Sequence, residues 1–357
     1  MTVLAIAVAL FFAMNIGASG AAAAMGTTFG SGAIEKKRMA LILCSVGVLL
    51  GASFGGQEVA ETIGSGVIPS SIINLKVVLI ILFSATMSLF IANMLGIPLS
   101  TSEVTVGAVI GVGIASQILF VEKLLFLLLI WILVPICAFL LALFAAKGIK
   151  LLENHSSAIH QPNWQKRFTY LLIGAGFLEA VAAGMNNVGN AVGPLIGAGV
   201  LSMNTGTVIG GVFVALGVLL FGGKVLETNG KRITRFSLIE GCSITSIGAG
   251  LVIAASILGI PVPLTQITTS AIMGVGAGKS GQILFKKRII KRMLMVWAVS
   301  PVFSLVFSYG LVKLFLESDM YSLVAIGSMF LATVGSLYLI KTVREEKAMI
   351  NEQGSGI

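Results

Sequence analysis

The polar side chains that could do chemistry in this chain are few, and they lie inside apolar runs. Ser100, Thr101 and Ser102 come one leucine after Gly96-Ile97-Pro98, and Glu103 is next in line. Asn186, Asn187 and Asn190 punctuate a glycine- and alanine-rich stretch. A second Gly259-Ile260-Pro261 is followed by Thr265, Thr268 and Thr269, and Ser19 sits within GASGAAAA. Proline interrupts a helix and frees backbone groups. A helix restarting after Pro98 aims its first N–H groups and three hydroxyls at one place. Converging neutral donors bind an anion without help from Lys or Arg, and these blocks contain neither. The substrate-binding candidates are therefore Ser100, Thr101, Ser102, Asn186, Asn187 and Asn190, followed by Ser19, Thr265 and Thr268. Glu103 is the one acid among these blocks. An ionisable group in a membrane span is by default functional, which makes Glu103 the candidate for carrying a proton. The simpler alternative is a charge at a helix N-terminus, and Glu179, Glu240, Glu58 and Glu61 are rivals for the proton.

Other chemistries have no support. Cys44, Cys137 and Cys242 are far apart, with no CxxC, CxxH or HExxH spacing, so no metal site is expected. His155 and His160 share one polar loop, where a solvated histidine is the simplest reading. No cluster of nucleophile, acid and base lies in the apolar runs, so an enzyme is not expected. The chain lacks a GxxxxGK[ST] loop, which argues against ATP-driven work, and no cofactor is implied.

The elements that position these residues belong to a membrane. Of 357 residues, 57% are hydrophobic and 10% charged, against about 25% charged in soluble domains. A span takes about 20 apolar residues, and apolar runs fall at 2–34, 39–56, 72–95, 97–120, 124–146, 168–200, 206–221, 237–258, 260–283, 293–315 and 321–340. The expected fold is an all-α polytopic membrane protein of eleven passes. Lys and Arg favour cytoplasmic loops. With the N-terminus outside, the inner segments hold Lys36, Lys37, Arg38, Lys147, Lys150, Lys166, Arg167, Lys224, Lys231, Arg232, Arg235, Lys286, Lys287, Arg288, Lys291, Arg292, Lys341, Arg344 and Lys347, which are 19 of the 23 basic residues. The outer loops hold Glu58, Glu61, Glu317 and Asp319 instead. The orientation is N-out/C-in, in the plasma membrane. The KKRIIKR run at 286–292 then faces the anionic inner leaflet, and no nucleic acid is implied.

The chain also repeats itself. AMNIGASGAAAAMGTTFGSGAI (13–34) aligns with AVAAGMNNVGNAVGPLIGAGV (180–200) through four glycines, and LGIPLSTSEVTVGAVIGVG (95–113) aligns with LGIPVPLTQITTSAIMGVG (258–276). The segment after the first block is EKKR and that after its counterpart is LSMNTG, so the copies run oppositely through the membrane. Two inverted repeats with broken helices, holding substrate near the midplane, are the plan of secondary transporters. The expected divisions are 1–146, the first repeat with a connecting span; 147–167, a cytoplasmic loop; 168–292, the second repeat; and 293–357, the last spans and tail. A non-transporting membrane protein is the alternative class. It leaves the paired broken helices without a purpose.

At these blocks the chain resembles the inorganic phosphate transporter (PiT) family, which carries two GANDVANAxG-type motifs and later GxPxSTTH segments. Here they read GASGAAAAMGTTFGSG (17–32), GMNNVGNAVGP (184–194), GIPLSTSE (96–103) and GIPVPLTQ (259–266). The family's motif aspartates, which help hold coupling cations, fall on Gly20 and Asn187, and its histidines on Glu103 and Gln266. The resemblance is greatest to the family's sulfate permease branch. It implies import of sulfate, a fully ionised oxyanion, with protons rather than sodium. Phosphate, thiosulfate, molybdate and selenate are the alternatives, and homo-oligomerisation is left open.

The orientation is testable by labelling. In a cysteine-free chain, Ser318→Cys is expected to react with an impermeant maleimide on intact cells and His160→Cys only after permeabilisation; the reverse pattern inverts the topology.

Overall fold

The computed structural model of the chain describes residues 1–94, 99–155, 161–231, 237–280 and 288–322, together with 324, 327 and 328. Among these, every regular element is helical. That follows from a composition in which backbone groups placed in lipid must be satisfied within their own segment. The α-helices are α1 (Thr2–Ser19), α2 (Gly26–Gly30), α3 (Lys37–Gly55), α4 (Gln57–Glu61), α5 (Leu75–Met94), α6 (Thr101–Ala115), α7 (Val121–His155), α8 (Pro162–Gly197), α9 (Met203–Phe221), α10 (Gly223–Lys231), α11 (Leu238–Ile257), α12 (Leu264–Ser280) and α13 (Arg288–Phe315).

Among the described residues, seven helices are long and apolar enough to cross a bilayer: Thr2–Gly30, Lys37–Gly55, Leu75–Ala92, Val121–His155, Pro162–Gly197, Met203–Phe221 and Leu238–Ile257. They match seven of the eleven expected passes. At 1.5 Å per residue, α6 and α12 rise only about 23 and 26 Å, short of the roughly 30 Å hydrocarbon core. Each is preceded by non-helical backbone, at Leu99–Ser100 and at Ile260–Pro263. Gly96, Ile97 and Pro98, and most of the expected 321–340 span, lie outside the described residues.

Three local expectations are corrected. The first long run is broken, since α1 gives way at Gly20 to a 3₁₀ turn over Ala21–Met25 before α2. The second is not: α8 runs unbroken from Pro162 to Gly197 through all three asparagines. The hydrogen bonds their amides make go to other elements, so nothing competes with the helix for its own backbone. The outer loop carrying Glu58 and Glu61 is helical, α4 followed by a π-turn at Thr62–Gly66, with Val59, Ala60 and Ile63 buried against α8. Much of the expected 147–167 loop is likewise the end of α7 and the start of α8.

Residues 1–308 form one compact unit. In it α1 packs on α9 and on α5, while α8 packs on α3 and on α11. Under the sequence repeat these are counterpart contacts. Likewise α12 meets α7 and α6 meets α13, where a Cβ at Gly274 or Gly107 would lie 2.3 Å from the Phe139 carbonyl or 2.4 Å from that of Pro301. The closest approaches also come in counterpart pairs. A Cβ at Gly17 would be 2.0 Å from the Val214 oxygen, and one at Gly184 would be 2.1 Å from that of Val48. Backbones this near are the packing that membrane helices use in place of a hydrophobic drive. The second unit begins at Tyr309. There Lys313 pairs with Glu317, and the Ser322 hydroxyl and amide hold the half-buried Asp319 carboxyl below its ordinary range.

The contacts predict a contrast between two glycines. A Cβ at Gly51 would lie 1.9 Å from the Val181 oxygen, whereas nothing lies within 4 Å of one at Gly250. Gly51→Ala is expected to cost about 1–3 kcal/mol through overpacking. Gly250→Ala is expected to be neutral or stabilising by up to about 1 kcal/mol from helix propensity. Thermal unfolding in detergent measures both.

Candidate anion site

Three helices and one non-helical segment meet at a buried polar cluster. Ser100 caps α6, its Oγ accepting from the Glu103 amide at 3.4 Å. The Thr101 and Ser102 amides are left without intrahelical acceptors. Across from them, α8 presents Asn186, Asn187 and Asn190, all 0% exposed. Positions 186 and 190 share one helix face, and 187 lies beside them. Small neighbours (Gly184, Gly189, Ala191 and Gly193) let other backbones come close enough for these short amides to reach.

The hydrogen bonds divide the asparagines by task. Asn186 clasps both main-chain groups of one residue in the non-helical segment: its Nδ2 donates to the Val262 carbonyl at 2.8 Å and its Oδ1 accepts from the Val262 amide at 3.0 Å. Ser102 donates to the same carbonyl at 3.1 Å, and its oxygen accepts from Asn186 and Asn190 at 3.3 Å each. Asn187 differs. Its Oδ1 accepts from the Thr101 hydroxyl at 2.6 Å, and its Nδ2 is a buried donor with no partner. Gly20 adjoins this pair, a Cβ there falling 3.2 Å from Thr101 Cγ2 and 3.6 Å from Asn187 Nδ2. Thr265 Oγ1 is likewise buried and unpartnered, as is the acceptor Asn190 Oδ1. A buried polar atom without a partner costs about 1–3 kcal/mol, which an incoming ligand can recover.

Ser100, Thr101, Ser102, Asn186, Asn187 and Asn190 thus fall in one buried cluster. The other three candidates are placed differently. The Ser19 hydroxyl turns back to the Asn15 carbonyl of its own helix at 3.0 Å. Thr265 lies in the first turn of α12. Thr268 donates at 2.6 Å to Glu179 on α8. Glu103 accepts from the Gln266 amide and, at 2.9 Å, from the Ser300 hydroxyl of α13. Two supporting residues carry no motif that would reveal them in the sequence. Ser300 is one, marked only by the following Pro301. Trp131 is the other, donating at 2.8 Å from α7 to the Pro261 carbonyl. Of the rival acids, Glu240 is committed to a capping box with Ser237 and an ion pair with Lys279 at 2.6 Å. Glu58 and Glu61 are exposed.

The cluster offers amide and hydroxyl donors, one carboxyl and, among the described residues, no basic side chain. That composition can chelate a small anion in a place shielded from water.

Comparison with known proteins agrees with this chemistry. The phosphate transporter family model matches residues 16–308. The sulfate permease CysP of Bacillus subtilis is 54% identical over 357 residues, covering 100% of both chains. A putative phosphate permease of Pyrococcus furiosus is 30% identical, covering 84% of this chain and 92% of its own. In fold, the chain is similar to a solved structure titled "The sodium-dependent phosphate transporter", with a TM-score of 0.76 and 22% identity over 88% of this chain and 99% of that one. On the family match, the full-length relative and the all-helical apolar fold together, the chain belongs to the phosphate transporter family and is a membrane transporter.

Proposed function

We propose that this protein imports sulfate across the plasma membrane in symport with protons, by alternating access between two inverted repeats. The observation that carries the proposal is Asn187 Nδ2, a fully buried donor left open beside Thr101 and Gly20. A dianion with no proton to give requires donors, and the α6 amides, Asn187 Nδ2 and Thr265 Oγ1 supply them. The positions that carry aspartates in the family's motifs are Gly20 and Asn187 here. Removing two carboxylates lowers repulsion toward a dianion and takes away ligands that a hard cation prefers. The full-length relative named a sulfate permease supports the same choice. In this scheme the chain crosses eleven times, N-out/C-in. Glu103 is neutral when sulfate is bound, because desolvation and the anion's charge both favour its protonated form.

A second reading has one observation in its favour. Asn190 Oδ1 is a buried acceptor without a donor, and a monoprotonated phosphate carries a proton that could fill it.

Radiolabelled sulfate uptake into proteoliposomes tests the scheme. Thr101→Ala and Asn187→Ala are each expected to raise half-saturation about tenfold, for the loss of about 1–3 kcal/mol of donor energy. Unchanged half-saturation and rate in both would place the anion elsewhere, and phosphate outcompeting sulfate would favour the second reading. Replacing sodium by choline at fixed pH is expected to leave concentrative uptake intact, and its loss would make sodium the coupling ion. Glu103→Gln is expected to weaken the dependence on an inward pH gradient while sulfate exchange is still measurable. A variant that accumulates sulfate like wild type would relieve Glu103 of any coupling role.

A further inference from the structure

A second acid, Glu179, is buried as deeply as the site asparagines and has no task in the scheme above. Its side chain is 0% exposed. Oε1 accepts from Thr268 at 2.6 Å, and Oε2 is buried without a partner. The α11 backbone walls it in, since a Cβ at Gly248 would come within 2.8 Å of Oε1. From α3 the facing titratable group is the Cys44 thiol, which donates to the Ala21 carbonyl at 3.3 Å. From α12 it meets the Thr268 hydroxyl, and no basic side chain among the described residues adjoins it. Lys279 lies eleven residues further along α12, bound to Glu240 of α11. A charged carboxylate walled off in this way is costly, whereas a neutral carboxyl bonded to a hydroxyl is not.

Its position ties it to the anion site. Glu179 precedes Asn186 by seven residues and Asn190 by eleven, so all three share one stripe of α8, with about 10 Å between Glu179 and Asn186 along the axis. Both buried acids also report to α12: Glu103 through Gln266 and Glu179 through Thr268. A movement of α12 therefore changes the surroundings of both carboxyls at once.

We infer that Glu179 is a second proton-binding site of the transporter, so that two protons, one on Glu103 and one on Glu179, travel with each sulfate dianion. This rests on the sulfate–proton reading above. In the loaded form both carboxyls are neutral and the interior carries the two charges of the anion. After sulfate and both protons leave into a water-filled inward opening, the two carboxylates carry that same charge. Loaded and empty forms then cross between states with equal buried charge. The balance per cycle is two positive charges moved with two negative ones, and transport is electroneutral.

The test is sulfate accumulation at steady state in proteoliposomes holding the full chain, with pH gradient and voltage set independently. Wild type is expected to change its accumulation ratio about 100-fold per unit of inward pH gradient, two protons at tenfold each, and to ignore voltage. Glu179→Gln is expected to change it only about tenfold per unit, with an interior-negative potential now opposing uptake. A wild-type slope of tenfold, or a Glu179→Gln variant with the full slope, overturns this inference and leaves sulfate–proton symport standing. A wild type that carries sulfate with no response to pH overturns the symport reading itself. Should Glu179→Gln be inactive, purified Glu103→Gln protein decides by infrared difference spectroscopy. Adding sulfate is expected to leave one protonated-carboxyl band, from Glu179, and absence of that band overturns the inference.

Discussion

Four residues of backbone, Ile260–Pro263, run non-helical through the interior of an apolar helical protein, and the rest of the site depends on how their peptide groups are satisfied. A helix meets its own hydrogen-bonding needs; irregular backbone at depth does not, and lipid offers nothing in return. Here Asn186 takes both groups of Val262, Ser102 adds a donor to its carbonyl, and Trp131 covers that of Pro261. Each partner comes from a different helix, so the same bonds that make the segment tolerable also draw α6, α7 and α8 to it. The polar residues of the cluster are thus positioned by the cost of leaving a peptide group unpaired. Atoms of Asn187, Asn190 and Thr265 are left over by this accounting, without partners among the described residues.

Close packing makes that arrangement possible. The helices carrying the asparagines and the post-proline hydroxyls meet neighbours at glycines, where backbone touches backbone. Short side chains such as Asn and Ser bridge such gaps, whereas bulkier neighbours would hold the helices apart. The unbroken course of α8 has the same origin. With glycine and alanine around them, the three amides reach outward to other elements, and the helix keeps its own hydrogen bonds.

Much of this was legible in the sequence, for identifiable reasons. Gly96-Ile97-Pro98 with Ser100–Ser102 and the amide-rich 186–190 stretch stood out because polar side chains are rare in so apolar a chain, and the hydroxyls and the three amides do meet in one buried cluster. The paired blocks were visible because glycines at contacts tolerate no substitute. Asn186–Asn190 misled on one point, since polarity within a span suggests a break, and only the partners across the interface show that none is needed. Glu58 and Glu61 marked a loop by their charge, although the apolar residues beside them pack a short helix onto α8. Ser300 and Trp131 were not legible at all. A single hydroxyl or indole in a span carries no pattern, and its importance comes from what another helix places within its reach.

Glu103 and Gln266 occupy corresponding positions in the two halves of the chain, and they bond to each other. Two identical halves would set like against like at that meeting point, either two carboxylates in mutual repulsion or two amides with nothing to titrate. A bond between unlike side chains there exists only because the halves have diverged within one polypeptide. The joining of the two halves in one chain is therefore a condition of this pairing: matching sequence blocks supply the meeting point, and the difference between them at this position sets a carboxyl against an amide.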